Sequence, residues 1–219
     1  MMKTILCYGD SNTWGANPSG ASRFGPHIRW PGVLRDELNQ YATASERDYW
    51  VVEEGLCGRT TCREDPVEGD KNGLRQLIPI LDSHKPLDLV IVMLGTNDLK
   101  VRFNPTAWDI AQGAQLVGKS VLSSATGEGD TAPKLLLIAP PPTAKLTYFR
   151  PMFGSCKEIS EAMAARYRQF ATEIGAEFLD AGSIIVSSDL DGIHLEASEH
   201  RKLGLAVAAK VKEILDSPK

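Results

Sequence analysis

No C-x-x-C pair occurs anywhere in the 219 residues. Zinc ribbons and thioredoxin-like redox sites are built on that spacing, so neither is expected. Of the four cysteines (Cys7, Cys57, Cys62 and Cys156), Cys7 lies in an apolar run and reads as a small core residue. A basic excess is also missing. Lys plus Arg number 24 against 28 Asp plus Glu, a formal charge of −4. Binding a phosphate backbone takes clustered cations, so nucleic acid is not an expected partner. No uncharged apolar run approaches the ~20 residues that span a bilayer, so no membrane partner is expected either. Between Lys3 and Gly9-Asp10 stand only Thr4-Ile5-Leu6-Cys7-Tyr8. A secretory signal needs an apolar stretch of roughly 7–15 residues, and the expected location is therefore the reducing cytoplasm. Pro occupies the middle of Asn17-Pro18-Ser19 and Asn104-Pro105-Thr106, so neither is a glycosylation acceptor. Aromatics are sparse at 7%, beside 42% hydrophobic and 24% charged residues, which is ordinary globular composition. Disorder, collagen and coiled coil are excluded. A chain this long buries about 70% of its unfolded surface and needs no disulfide or metal to fold.

Short apolar runs alternate with longer amphipathic stretches. Thr4–Tyr8, Tyr49–Val52, Leu87–Leu94, Lys134–Ala139 and Glu177–Asp180 read as strands. Leu87–Leu94 is apolar enough to be buried on both faces of a parallel sheet. Helical spacing appears at Val33, Leu34 and Leu38, and again at Leu74, Leu77, Ile78 and Leu81, where Pro79 should kink or restart the helix. It recurs over Trp108–Leu122, Ser155–Gly175 and Ser198–Leu215. Such alternation predicts βαβ units: an α/β protein with a mostly parallel sheet of about five strands and helices on both faces. No repeat or Gly/Ser-rich linker divides the chain, so residues 1–219 read as a single domain. Two long irregular stretches, Gly15–Trp30 and Pro140–Phe153, follow strands or the turns after them. Loops at the carboxyl ends of strands build the site in such sheets, so both are candidate pocket walls.

Gly113-Ala114-Gln115-Leu116-Val117-Gly118-Lys119-Ser120 matches the phosphate-binding pattern G-x-x-x-x-G-K-[ST]. That loop works only between a strand and the start of a helix. Here it sits inside a helical period, where each N–H is already bonded four residues back. The bland reading, two helix glycines that allow close packing, is preferred. Nucleotide binding through Lys119 stays as the alternative from another class.

Three polar blocks carry more chemistry. Gly9-Asp10-Ser11-Asn12-Thr13-Trp14-Gly15 follows the first strand. A serine at a sharp strand-to-helix turn can present its hydroxyl, with its own N–H facing a bound oxygen. A serine N-capping a helix looks the same. Asp191-Gly192-Ile193-His194 precedes the last helix. A carboxylate three residues from a histidine can fix the imidazole tautomer and stabilise the protonated ring. A capping or surface histidine would also fit. Among the other histidines, His84 and His200 read as solvated surface residues, and His27 has no acid nearby in sequence. Gly95-Thr96-Asn97-Asp98 ends the most apolar strand. Asn97 could donate to an oxyanion there, or merely start a turn. Between them, Gly55-Leu56-Cys57-Gly58-Arg59-Thr60-Thr61 follows the second strand, and Gly58 could bring a bare backbone N–H to the same centre.

Taken in order, these blocks resemble the SGNH hydrolase superfamily, also called GDSL esterases and lipases. Asn12 stands where the family name has Leu. The resemblance covers nearly the whole chain and is closest to the bacterial arylesterase/acyltransferase (perhydrolase) subgroup. Ile5-Leu6-Cys7-Tyr8-Gly9-Asp10-Ser11, Glu53-Glu54-Gly55-Leu56, Arg59-Thr60-Thr61, Asp88–Asp98 and Asp180-Ala181-Gly182-Ser183 carry the closer match. It implies a flavodoxin-like three-layer α/β/α sandwich. It also implies a cofactor-free, metal-free serine esterase or acyltransferase acting on small aryl or alkyl carboxylic esters. Ser11 would be the nucleophile, His194 the base and Asp191 its orienting acid. The oxyanion hole would be the N–H groups of Ser11 and Gly58 with the Asn97 amide. Asp10 and Asp98 would brace loops. Asn12, Trp14, Phe149, Met152, Phe153 and Ile193 are candidate substrate-binding residues, although Phe149 and Phe153 could simply be buried under a long loop. Deacetylation of sugars is the main rival within the superfamily. Relatives in this subgroup form homo-oligomers up to octamers, so the same is expected here.

Overall fold

Strands and helices alternate along the chain in the computed structural model, which describes residues 2–20, 22–42 and 48–216. The strands are β1 (Lys3–Gly9), β2 (Tyr49–Gly55), β3 (Leu89–Met93), β4 (Lys134–Ala139) and β5 (Glu177–Asp180). All pair in parallel, in the order β2-β1-β3-β4-β5. The helices are α1 (Ser11–Trp14), α2 (Trp30–Leu38), α3 (Gly73–His84), α4 (Ala107–Leu122), α5 (Arg150–Phe153), α6 (Lys157–Ile174) and α7 (Ala197–Asp216).

Successive side chains on a strand point to opposite faces. Ile5, Cys7, Leu89, Ile91, Leu136 and Ile138 therefore share one core with Trp30 and Leu34 of α2 and Leu203, Val207 and Val211 of α7. Leu6, Tyr8, Val90, Val92, Leu135 and Leu137 face the other way, onto Leu77 and Leu81 of α3 and Val117 and Val121 of α4. Three layers result, and all of β3 is buried. The apolar run that marks β3 in the sequence is thus the signature of a strand covered on both faces.

Two expectations are corrected. Pro79 does not restart a helix, because α3 continues through it to His84. His200 is not a surface residue but fully buried. Its Nδ1 accepts a hydrogen bond from the Trp30 N–H at 3.2 Å, and the Phe24 ring packs against it in a T-shaped contact. The ring continues the inward stripe of α7, three residues before Leu203. Among the other histidines, His84 is half-buried beside Glu54 at 2.9 Å, and exposed His27 finds Asp36 at 2.7 Å.

Burial, together with the nearby His194 and Arg29, drives the His200 pKa from 6.5 down to about 4. An unfolded chain would take up that proton near pH 6.5. Between those values the unfolded state binds more protons, so His200 costs stability as pH falls. The full loss is about 3 kcal/mol, at roughly 1.36 kcal/mol per pH unit. Asp10 and Asp98 act oppositely in the same window, since burial raises both to about 6. Comparison with a His200→Gln variant isolates the histidine. Melting temperatures from pH 7.5 to 4.5 should fall more steeply in the wild type than in the variant. Parallel curves would refute the assignment.

Gly113 and Gly118 lie inside α4. A Cβ on Gly113 would stand 2.2 Å from Thr61 Oγ1, and one on Gly118 2.9 Å from Ile174 Cδ1. Both glycines serve helix packing. The N–H groups between them belong to the helix interior and cannot cradle a phosphate.

Candidate active site

The order β2-β1-β3-β4-β5 reverses direction at β1, and in open parallel sheets ligands bind at the carboxyl ends of strands at such a reversal. β1 ends at Gly9, and Ser11 follows two residues later. Asp10, not Ser11, caps α1: its Oδ1 accepts the Asn12 N–H at 2.9 Å. Ser11 is the first helical residue, so its hydroxyl is not spent on the cap. The turn is tight enough that a Cβ on Gly55, beside Gly9 in the sheet, would fall 2.1 Å from the Trp14 nitrogen.

The loop before α7 delivers the second group. Asp191 Oδ1 accepts the backbone N–H groups of Ile193 at 3.0 Å and His194 at 2.9 Å. Its Oδ2 stands 2.6 Å from His194 Nδ1, and His194 Nε2 stands 2.9 Å from Ser11 Oγ. A carboxylate only accepts, so Nδ1 carries a proton and Nε2 is free to accept one from serine. Burial pushes the Asp191 pKa up, but the hydrogen bonds from the His194 ring and the two backbone N–H groups outweigh it. The carboxyl is left below its ordinary value. All three residues are nearly buried, and the Phe149 ring packs against His194 in a T-shaped contact with centroids 5.7 Å apart. Serine and histidine lie 183 positions apart in sequence and meet at one sheet edge.

Asn97 follows β3. Its Nδ2 donates to Arg59 O at 3.2 Å, with Asp10 Oδ2 at 3.5 Å. Gly58 sits at φ +84°, a conformation that suits glycine, and a Cβ there would stand 2.5 Å from Glu68 Oε2. The loop carrying it is fastened from β3. Asp98 accepts the Thr61 N–H at 2.9 Å and the Thr61 hydroxyl at 2.6 Å. Both sequence-predicted bracing acids thus hold loops. Their carboxyls are fully buried, which outweighs the hydrogen bonds they accept and raises each to about 6.

A cleft of about 430 Å³ opens over these groups. Ser11, Gly58, Asn97 and His194 line it, with Phe149, Met152, Phe153 and Ile193 along one side. Both irregular stretches expected as pocket walls contribute: Ala16 from the first, and the Phe149–Phe153 residues from the second. Phe153 is also buried in a core cluster, so it serves packing and cleft at once. Asn12 and Trp14 do not line the cleft. Asn12 is buried and its Nδ2 donates to Ile193 O at 3.0 Å, tying the serine turn to the histidine loop. Trp14 lies under the Arg23 guanidinium, 5.0 Å from the ring centroid. Sequence reasoning missed Glu68, Lys71 and Lys100, which also line the cleft. Lys100 lies two residues after the Gly95–Asp98 block. The other two lie in a loop without periodicity. A second cleft of about 510 Å³ lies beyond Phe149 and His194, against Asn17–Gly20, Tyr148 and Leu190.

Sheet and site together define the class: a hydrolase of carboxylic esters on a flavodoxin-like α/β/α frame. The chain belongs to the GDSL-like lipase/acylhydrolase family, whose model matches residues 7–202. The aryl esterase of M. smegmatis is 42% identical over 97% of this chain and 100% of that one, with a TM-score of 0.89. A carbohydrate acetylesterase from Sinorhizobium meliloti is 39% identical over 97% and 100%, with a TM-score of 0.90. A search of curated proteins gave no match. Among the described residues, no helix is long and apolar enough to cross a membrane.

Proposed function

We propose that the protein is a serine esterase and acyltransferase acting on small aryl or alkyl esters. The observation that carries this reading is the continuous line from Ser11 Oγ through His194 to Asp191, at 2.9 and 2.6 Å. Ser11 Oγ attacks the ester carbonyl as its proton passes to His194 Nε2. The carbonyl oxygen takes the negative charge. It is met by the N–H groups of Ser11 and Gly58 and by the second Asn97 amide N–H, which exchanges its long 3.5 Å contact with Asp10 Oδ2 for the oxyanion. Collapse of the tetrahedral intermediate breaks the C–O bond to the alcohol, which leaves with the proton from His194. Asp191 holds the ring and offsets its positive charge throughout. The acyl group on Ser11 then passes to water, to another alcohol or to peroxide, with His194 repeating the proton transfer. Nothing in these steps calls for a metal or organic cofactor.

The apolar side of the cleft suits a short acyl chain or an aromatic alcohol, and it disfavours water as the acyl acceptor. Kinetics with p-nitrophenyl acetate, with and without added benzyl alcohol, separate hydrolase from transferase. The reading predicts benzyl acetate at the expense of acetate. If acetate alone formed at every alcohol concentration, the transferase half would be dropped. A sugar acetylesterase is the second reading, supported by the likeness to the Sinorhizobium meliloti enzyme and by the second cleft. There Asn17–Gly20 and the exposed Tyr148 ring offer polar groups beside an aromatic face. Faster turnover of acetylated xylose than of aryl acetates would favour it. We further propose that the whole chain is one catalytic unit, located in the cytoplasm, that assembles into a homo-oligomer. Light scattering should return a multiple of the monomer mass, and a monomer at micromolar concentration would contradict it.

A further inference from the structure

The lining of the cleft beside Ser11 is of two kinds: apolar side chains, and the charged Glu68, Lys71 and Lys100. Lys100 is buried, and its Nζ lies 3.2 Å from Asp65 and 2.7 Å from Glu68. Arg102 shares the same two carboxylates at 2.8 and 3.5 Å. Two cations face two anions, so that cluster is neutral in sum. Lys71 stands outside this balance. Among the described residues, no carboxylate forms an ion pair with it. Its Cδ and Cε lie 3.4 and 3.3 Å from where a Cβ on Gly58 would sit, so its stem crosses the glycine that faces the cleft. Glu68 Oε2 approaches the same point at 2.5 Å. Without Lys71, the wall beside Gly58 would be neutral in sum, with a Glu68 oxygen nearest the glycine, and would offer an anion no partner. With it, the wall carries a net positive charge. The Cys57 thiol, on the same wall, senses this charge. Burial and Asp10 push its pKa up, while Lys71 and Arg23 pull it down.

We infer that Lys71 is a specificity-determining residue, selecting esters whose acyl or alcohol portion carries an anionic group, a carboxylate above all. The anion would lie over Gly58, next to the ammonium, while the carbonyl sits among the oxyanion donors. This rests on the reading of the cleft as an ester site. It adds to that reading, because the apolar wall alone would choose neutral esters.

Three esters test it: neutral p-nitrophenyl acetate, mono-p-nitrophenyl succinate with the anion on the acyl side, and 4-acetoxybenzoate with the anion on the leaving group. The measurement is kcat/KM for each anionic ester divided by that for the neutral one. In Lys71→Met the ratio for one anionic ester should fall about tenfold, chiefly through KM, and in Lys71→Glu further still. Which ester responds identifies the end of the substrate that Lys71 meets. Raising the salt to about 1 M should narrow the wild-type preference, since exposed charges are then screened within roughly 3 Å. If both ratios stay within twofold of wild type in both variants, Lys71 does not select charge and the inference falls. Failure of the wild type on all three esters is a different result: it overturns the ester reading and this inference with it.

Discussion

Replacing Ser11 with alanine should lower kcat/KM for p-nitrophenyl acetate by about 10⁴-fold or more, down to what binding and the oxyanion donors supply alone. The Ser11 hydroxyl lines the cleft beside its base. It stands 2.9 Å from His194 Nε2, and the cap of α1 does not use it because Asp10 makes that bond. Alanine removes a single oxygen atom from a residue that is already helical. The fold should therefore be kept, with a melting temperature within a few degrees of wild type. Turnover above a few per cent of wild type would show that another group attacks the ester.

Asp191→Asn should cost nearly as much, about 10⁴-fold in kcat, with little change in KM. The reason lies in how the carboxylate is shared. Oδ1 accepts two backbone N–H groups, from Ile193 and His194, so an asparagine must keep its carbonyl oxygen there. Its amide NH2 is then forced towards His194 Nδ1. A donor at that point makes Nδ1 the acceptor and leaves the proton on Nε2, which can no longer take one from Ser11. The variant should regain rate at high pH, where serine is more easily deprotonated without help. A rate loss below tenfold would mean that the tautomer is fixed by something other than Asp191.

Most of the frame was legible in the sequence because burial is written into it. Strand β3 is covered on both faces and reads as five apolar residues in a row. The stripe Leu203, Val207, Val211 marks α7 equally well. The site was legible where a motif sits at a strand end, as with Ser11, Asn97 and the pair Asp191 and His194. It was not legible where function depends on a loop folding back. Glu68 and Lys71 lie in a charged, aperiodic stretch that reads as solvated surface, and only the turn at Gly58 brings them over the cleft. His200 was misread for a related reason. Its neighbours Glu199, Arg201 and Lys202 are charged, and they outweighed its place on the inward stripe. Trp14 sits in the most informative block of the chain, yet the α1 turn carries it away from the cleft.

The central claim is an acyl-enzyme on Ser11. Its most direct test is covalent trapping: the purified protein is treated with a p-nitrophenyl phosphonate, digested and mapped by mass spectrometry. The account predicts one equivalent of label, on Ser11, with esterase activity lost in proportion, and no labelling of Ser11→Ala. Label on another residue, or full activity after Ser11 is labelled, would contradict it.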